Sequence, residues 1–300
     1  MPPPKLSLVL FLLTFLSTTG VGAYVAGANP FVPSELLRGL SFSVPLLSIL
    51  LAHELGHYIA ARIHGVPVSL PLFVPFPIPP IGTMGAVIVM PDRIPRRDAL
   101  FDIGAAGPWC GLIVALPVLA YGLAHSSVGP LPTGGFVQEG HSVLYSALLH
   151  WRMGGAENLD VSLNATAFAG WVGLLVTMLN LIPAAQLDGG HVAYALLGEW
   201  QERLSRGVRA ALLPLGAAVS LYYGLTAFQA GARGDALRDA LLPGFNWVVW
   251  WIVLRVLVRS GREHPPTDDD RLSPGRKLGA VLTLLLFVLL FMPAWLRQVH

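Results

Sequence analysis

Along its 300 residues the chain alternates long uncharged runs with short polar breaks. Runs of about 20 apolar residues, the length at which a helix crosses a hydrocarbon core, fall at roughly 6–26, 39–63, 103–125, 164–182, 209–230, 243–259 and 278–296. The pattern predicts an all-α polytopic membrane protein of about six to seven transmembrane helices, with 243–259 the shortest run. The small residues of "VGA" and "AGA" after the first run would suit signal cleavage, but a single Lys precedes that run and its apolar part is long, so a retained span is expected. Residues 66–91, "VPVSLPLFVPFPIPPIGTMGAVIVMP", are apolar yet repeatedly broken by proline. They predict a re-entrant loop or β-hairpin, which lipid tolerates only where protein or a water-filled cavity satisfies its backbone. The Gly-rich loop 126–163 contains "SVLYSALLHW" (142–151), which reads as an interfacial helix, and 260–277 reads as a polar linker. Three segments result: an N-terminal span (1–31), a membrane core (32–200) and C-terminal spans (201–300).

Composition supports the membrane reading. Apolar residues make up 54% and charged residues 12%, with a mean hydropathy of +0.63; soluble chains carry about twice that charge. A net charge of +2 is too small for a nucleic-acid partner, and the solvating partner is the lipid bilayer. The basic residues are 17 Arg and 2 Lys, a usage that suggests a GC-rich genome; the expected location is a prokaryotic inner membrane. If seven spans alternate from a cytoplasmic N-terminus, thirteen of them lie in inside loops and five outside, as the positive-inside rule requires. The lone Cys110 excludes a disulfide framework or a cysteine metal cluster.

The second run carries "LLAHELGHYIAARIHG" (51–66), with His53, Glu54 and His57 in the pattern His-Glu-x-x-His. The uncharged stretch from Gly39 to Ala52 spans about 21 Å of helix, so the motif lies below the membrane surface and nearer the cytoplasmic end. Ionisable residues at such depth are costly and mark function. Residues i and i+4 share a helix face, so both imidazoles can address one Zn²⁺, with Glu54 beside them to take a proton from the water that the metal activates. The alternative is a helix end whose histidines snorkel or bond to neighbouring helices.

A catalytic zinc commonly has three protein ligands. His64 is two turns past His57, Asp102 follows a basic stretch and reads as an N-cap or surface charge, and His125 ends its run on the far side. Asp188 lies in "TMLNLIPAAQLDGGHVAYALLG" (177–198), an apolar stretch broken by Pro183 and Gly189-Gly190 where a helix can unwind. It is the favoured third ligand, with helix capping as its plain alternative and His191 as its rival.

The motifs HELGH (53–57), "GTMGAVI" (82–88), "AAGPWCGL" (105–112) and "NLIPAAQLDGG" (180–190) resemble, in order, those of the site-2 protease family of intramembrane zinc metalloproteases, of the peptidase M50 type. The resemblance implies His53, His57 and Asp188 as ligands of one zinc ion, Glu54 as general base, and cleavage of transmembrane or membrane-proximal helical protein substrates (regulated intramembrane proteolysis). Gly111 stands where many relatives have Asn, so that role does not transfer. The loop 126–163 is too short for the PDZ domain of many bacterial relatives, and "HPP" at 264–266 makes the chain more similar to the PDZ-less plastid and cyanobacterial type.

A helical substrate must be extended before it is cut. The stretch 81–90, with Gly82 and Gly85, could offer a strand edge to an incoming peptide, or the hairpin could simply shield the site. Asn180 could bond substrate backbone or a developing oxyanion, or tie two helices together; Thr83 and Gln186 are weaker candidates. Any HExxH membrane protease with a distal glutamate ligand would need Glu199 or Glu202, which sit at a basic interface. The reading from another class is a metal-ion transporter or permease using the same broken helices.

Overall fold

The structure is a computed structural model that describes residues 1–91, 94, 96–130, 135–154, 160–258, 267–268 and 271–299. Half of the expected linker 260–277, including its "HPP", and Arg93, Arg259 and Arg262 of the topology count lie outside the described residues.

The chain runs α1 (Pro4–Val25), α2 (Pro33–Leu36), α3 (Leu40–Ile63), β1 (Leu72–Pro75), β2 (Thr83–Val87), α4 (Arg97–Ala124), β3 (Ser127–Gly129), β4 (Phe136–Glu139), α5 (Val143–Met153), β5 (Asp160–Ser162), α6 (Ala165–Asn180), α7 (Asp188–Leu197), α8 (Trp200–Gln229), α9 (Asp235–Leu241), α10 (Phe245–Leu257), α11 (Pro274–Leu290) and β6 (Leu296–Val299). By length and composition, five helical stretches among the described residues could cross a membrane: Pro4–Val25, Pro33–Ile63, Arg97–Ala124, Trp200–Gln229 and Asp235–Leu257. The expected span 164–182 is the apolar but shorter α6, of 16 residues. The last expected span stops early. Phe291 turns extended, because the residues ahead of Pro293 disfavour helix, and β6 pairs back onto β4, with Phe136 opposite Val299.

The protein is mostly helical rather than all-helical: among the described residues six short strands form three two-stranded antiparallel sheets. The proline-broken segment after α3 forms the first, β1 with β2, with Leu72 opposite Val87 and Phe73 opposite Ala86. It leans on α1, where Phe73 meets the edge of Phe11 at 5.1 Å and the Ser17 hydroxyl donates to the Gly82 carbonyl at 2.6 Å. The loop after α4 forms β3 with β5, Val128 opposite Val161. The helix expected at 142–151 is α5, capped by Ser142, whose hydroxyl accepts from the Tyr145 N–H. Tyr145 is fully buried and donates to Glu139 at 2.6 Å. Burial, and then the Glu139 charge, pushes its phenol above the usual range.

α4 is the central helix, packed between α3, α6 and α7. Small residues let the backbones approach, as membrane helices require: a Cβ at Gly56 would lie 2.5 Å from the Ala106 carbonyl oxygen. Pro45 inside α3 cannot donate to the Ser41 carbonyl one turn back. The Thr166 hydroxyl at the start of α6 donates to that oxygen at 2.9 Å instead.

Candidate metal centre

His53 and His57 lie on the α3 face turned to α4, and both are buried together with Glu54 (4%, 5% and 6% exposed). The α6–α7 connection is the second half of the site. α6 ends at Asn180 and α7 begins at Asp188, so the apolar stretch unwinds over 181–187, around Pro183. Asp188 is the first residue of α7; Leu187 occupies the cap position, and no side chain caps the helix. The Asp188 carboxylate turns toward α3 instead.

His53 Nε2 lies 3.2 Å and His57 Nε2 3.3 Å from Asp188 Oδ2, and the two nitrogens are 3.1 Å apart. Ligand atoms about 2.0–2.1 Å from a tetrahedral zinc sit about 3.3–3.4 Å from one another, close to the observed triangle. His57 Nδ1 lies 2.7 Å from the Ile103 carbonyl. A donor at Nδ1 leaves the Nε2 lone pair for a metal, the outer-shell contact typical of ligating histidines. Two imidazole nitrogens and one carboxylate oxygen therefore fit zinc in type and in spacing, and no other such group occurs among the described residues.

The three donors share a cavity of about 290 Å³ with Glu54, Asn180, Gln186, His191 and residues 86–88 at the end of β2. Asn180 Nδ2 is 3.3 Å from His53 Nε2. His191 lines the cavity but is not one of the three converging donors. Gly82 and Gly85 are not brought to it: both have positive φ within the hairpin, and Gly82 faces α1, where a Cβ would lie 2.9 Å from the Thr18 Cα. Thr83 donates to the Val74 carbonyl across the hairpin. His64 and Asp102 pair with each other at 2.7 Å. Asp102 lies beyond the first turn of α4 rather than capping it, and Arg276 holds it through two bonds of 2.7 and 2.8 Å. His125 bonds back to Tyr121.

Sequence reasoning missed the part played by α4. A Cβ at Gly107 would lie 2.0 Å from His57 Nε2, and one at Gly111 3.2 Å from the His53 Cβ. With Ile103, these positions present a small-residue groove for both rings. The spacing 103, 107, 111 along one helix face is the signal that could have shown it.

The fold and site thus define a membrane-type helical protein with two histidines and one aspartate grouped so that they could hold a metal ion. The model of "Peptidase family M50" matches residues 41–223, and the chain belongs to that family. Among curated relatives, it is 32% identical over 234 residues to "Probable zinc metalloprotease EGY2, chloroplastic" of Arabidopsis thaliana, covering 74% of this chain and 41% of that protein. It is 27% identical over 317 residues to "Probable zinc metalloprotease EGY1, chloroplastic" of the same plant, covering 97% and 53%. Its identity to the EGY1 protein of Oryza sativa subsp. japonica is 26%, covering 97% and 50%. The chain spans about half the length of these relatives, or less. No solved structure matches it.

Proposed function

We propose that the chain is an intramembrane zinc endopeptidase that hydrolyses peptide bonds in transmembrane or membrane-proximal helical segments of protein substrates. The observation that carries this reading is the triangle of His53, His57 and Asp188 donors, with Glu54 in the same cavity, inside apolar helices. Family membership and the zinc metalloprotease names of the relatives support it over the permease alternative. When bound, zinc supplies Lewis-acid activation of water and of the scissile carbonyl.

The chain's own residues do the rest. The Glu54 carboxylate accepts no hydrogen bond among the described residues and lines the cavity. It takes the proton of the attacking water and passes it to the leaving amide nitrogen. Asp188 and His53 keep one another oriented across the α3–α7 gap. Asn180, at the end of α6, directs its amide toward the same space as an oxyanion donor, besides tying α6 to α3. Among the described residues β2 pairs only with β1, so its outer edge is the one that would receive an extended substrate. Residues 86–88 bring that edge to the metal, and Gly82 and Gly85 shape the hairpin that carries it. In this reading the hairpin re-enters the membrane.

The protein is multi-pass, with the site nearer the cytoplasmic face. The arginine distribution supports that orientation, the apolar helices support a membrane location, and a prokaryotic inner membrane is part of this proposal, while the named relatives are chloroplastic. Incubating the purified chain with single-span membrane proteins and mapping the products by mass spectrometry tests the substrate class. Cuts within or beside the span are expected; cleavage confined to soluble, unfolded chains would overturn it.

A further inference from the structure

The connection that delivers Asp188 runs from Leu181 to Leu187 through the fold interior, and Ala184 and Ala185 are each 1% exposed. Ala185 has a φ of +51°, the only positive value at a non-glycine residue among those described. L-residues avoid that region, so something outside the connection must hold it. The backbone of Ala185 finds its partners on α8. Its N–H donates to Ser205 Oγ at 2.8 Å, and its carbonyl accepts from Gln201 Nε2 at 3.3 Å. Gln201 and Ser205 sit four residues apart on one helix face and are both fully buried. They thus serve the two ends of one residue at once. The first turn of α7 closes against the same carbonyl, since a Cβ at Gly190 would lie 2.3 Å from the Ala185 oxygen.

From this we infer that Gln201 and Ser205 form a latch that fixes the third metal ligand in place. Both are positioning residues: neither touches the metal donors, and each acts through the backbone three residues ahead of Asp188. Without the latch, two buried backbone groups lose their partners, and Ala185 is free to leave the left-handed region. The first turn of α7 then rotates, and the Asp188 carboxylate no longer completes the triangle at 3.2–3.3 Å from the two imidazoles. The metal-positioning unit therefore reaches past residue 200 into α8, a helix that supplies no ligand.

The inference rests on the metal centre proposed above, and its test separates the two. Zinc affinity of the purified full chain is measured by chelator competition, and the visible spectrum of its cobalt-substituted form is recorded. The proteins are wild type, Ser205→Ala, Ser205→Thr and Ser220→Ala. Ser220 is a control on the same helix, whose hydroxyl bonds the Leu241 carbonyl. Ser205→Ala should bind zinc about 10- to 100-fold more weakly, the range seen when outer-shell support is removed, with an altered cobalt spectrum. Ser205→Thr, which keeps the hydroxyl, should restore both readings, and Ser220→Ala should match wild type. Wild-type affinity and spectrum in Ser205→Ala, or an equal loss in Ser220→Ala, would overturn the latch while leaving the metal centre standing. No zinc in the wild type would overturn both. If Ser205→Ala is not recovered folded, Gln201→Leu decides by the same two readings.

Discussion

Asp188 and His191 stand three residues apart on α7 and both face the metal cavity, yet only the aspartate reaches the triangle formed with His53 and His57. The difference is one of helix position. Asp188 opens the helix, so its side chain points back along the axis toward α3, while His191 lies nearly a turn on, against Gly104. Asp188→Ala should therefore lower zinc affinity by more than about a hundredfold, beyond the loss typical of outer-shell partners, and His191→Ala should keep the metal. Metal analysis after dialysis checks both, and the reverse pattern would make His191 the ligand. Gly107→Ala is the complementary change from the α4 side. Its added methyl falls 2.0 Å from His57 Nε2, so the ring must leave its place. Zinc loss is expected from that substitution although it removes no donor.

At the scale of elements, the Pro45 break shows how the helices depend on one another. Thr166→Val leaves the Ser41 carbonyl without the hydroxyl that replaces its missing helix partner. The bond is exposed, so the expected cost is about 0.5–1.5 kcal/mol, read as a lower thermal midpoint in detergent with zinc affinity unchanged; an unaltered midpoint would contradict that role. Those elements whose cause is local were legible in the sequence. His53, Glu54 and His57 at i, i+1 and i+4 announced themselves inside an apolar run, and Pro183 with Gly189-Gly190 announced the break before α7. The prolines of 66–91 excluded a helix and left the hairpin. The end of α11 was misplaced because Pro293 acts on the residues before it, and β6 forms only with β4 as partner. The groove of Ile103, Gly107 and Gly111, and the grip of Gln201 and Ser205 on Ala185, were not legible. Each consists of a contact between helices far apart in sequence: the spacing 103, 107, 111 marks a helix face but not the rings that it receives, and a buried serine carries no pattern of its own.

For the whole molecule, the arginine count and the proposed depth of the site require the start of α8 to face the cytoplasm and the α8–α9 turn to face outward. In a Cys110→Ala background, a cysteine at Arg203 should react with a membrane-impermeant thiol reagent only once the cytoplasmic face is opened. A cysteine at Arg233 should react in intact cells, and the opposite pattern would invert the orientation. Near the start of α4, Arg276 ties α11 to α4 through Asp98 and Asp102, and His64 joins α3 to the Asp102 carboxylate. Two helices that line the metal site, α3 and α4, are thus tied to each other and to α11 beyond the site itself. The central claim is that α3, α4 and α7 enclose a site for a zinc ion whose hydrolytic chemistry runs through Glu54. Its most direct measurement compares wild type with Glu54→Gln, each purified and analysed for zinc and for cleavage of a single-span membrane protein. The account predicts about one zinc per chain in both proteins and cleavage by the wild type alone. Cleavage by Glu54→Gln, or a wild type that cleaves without holding zinc, would contradict it.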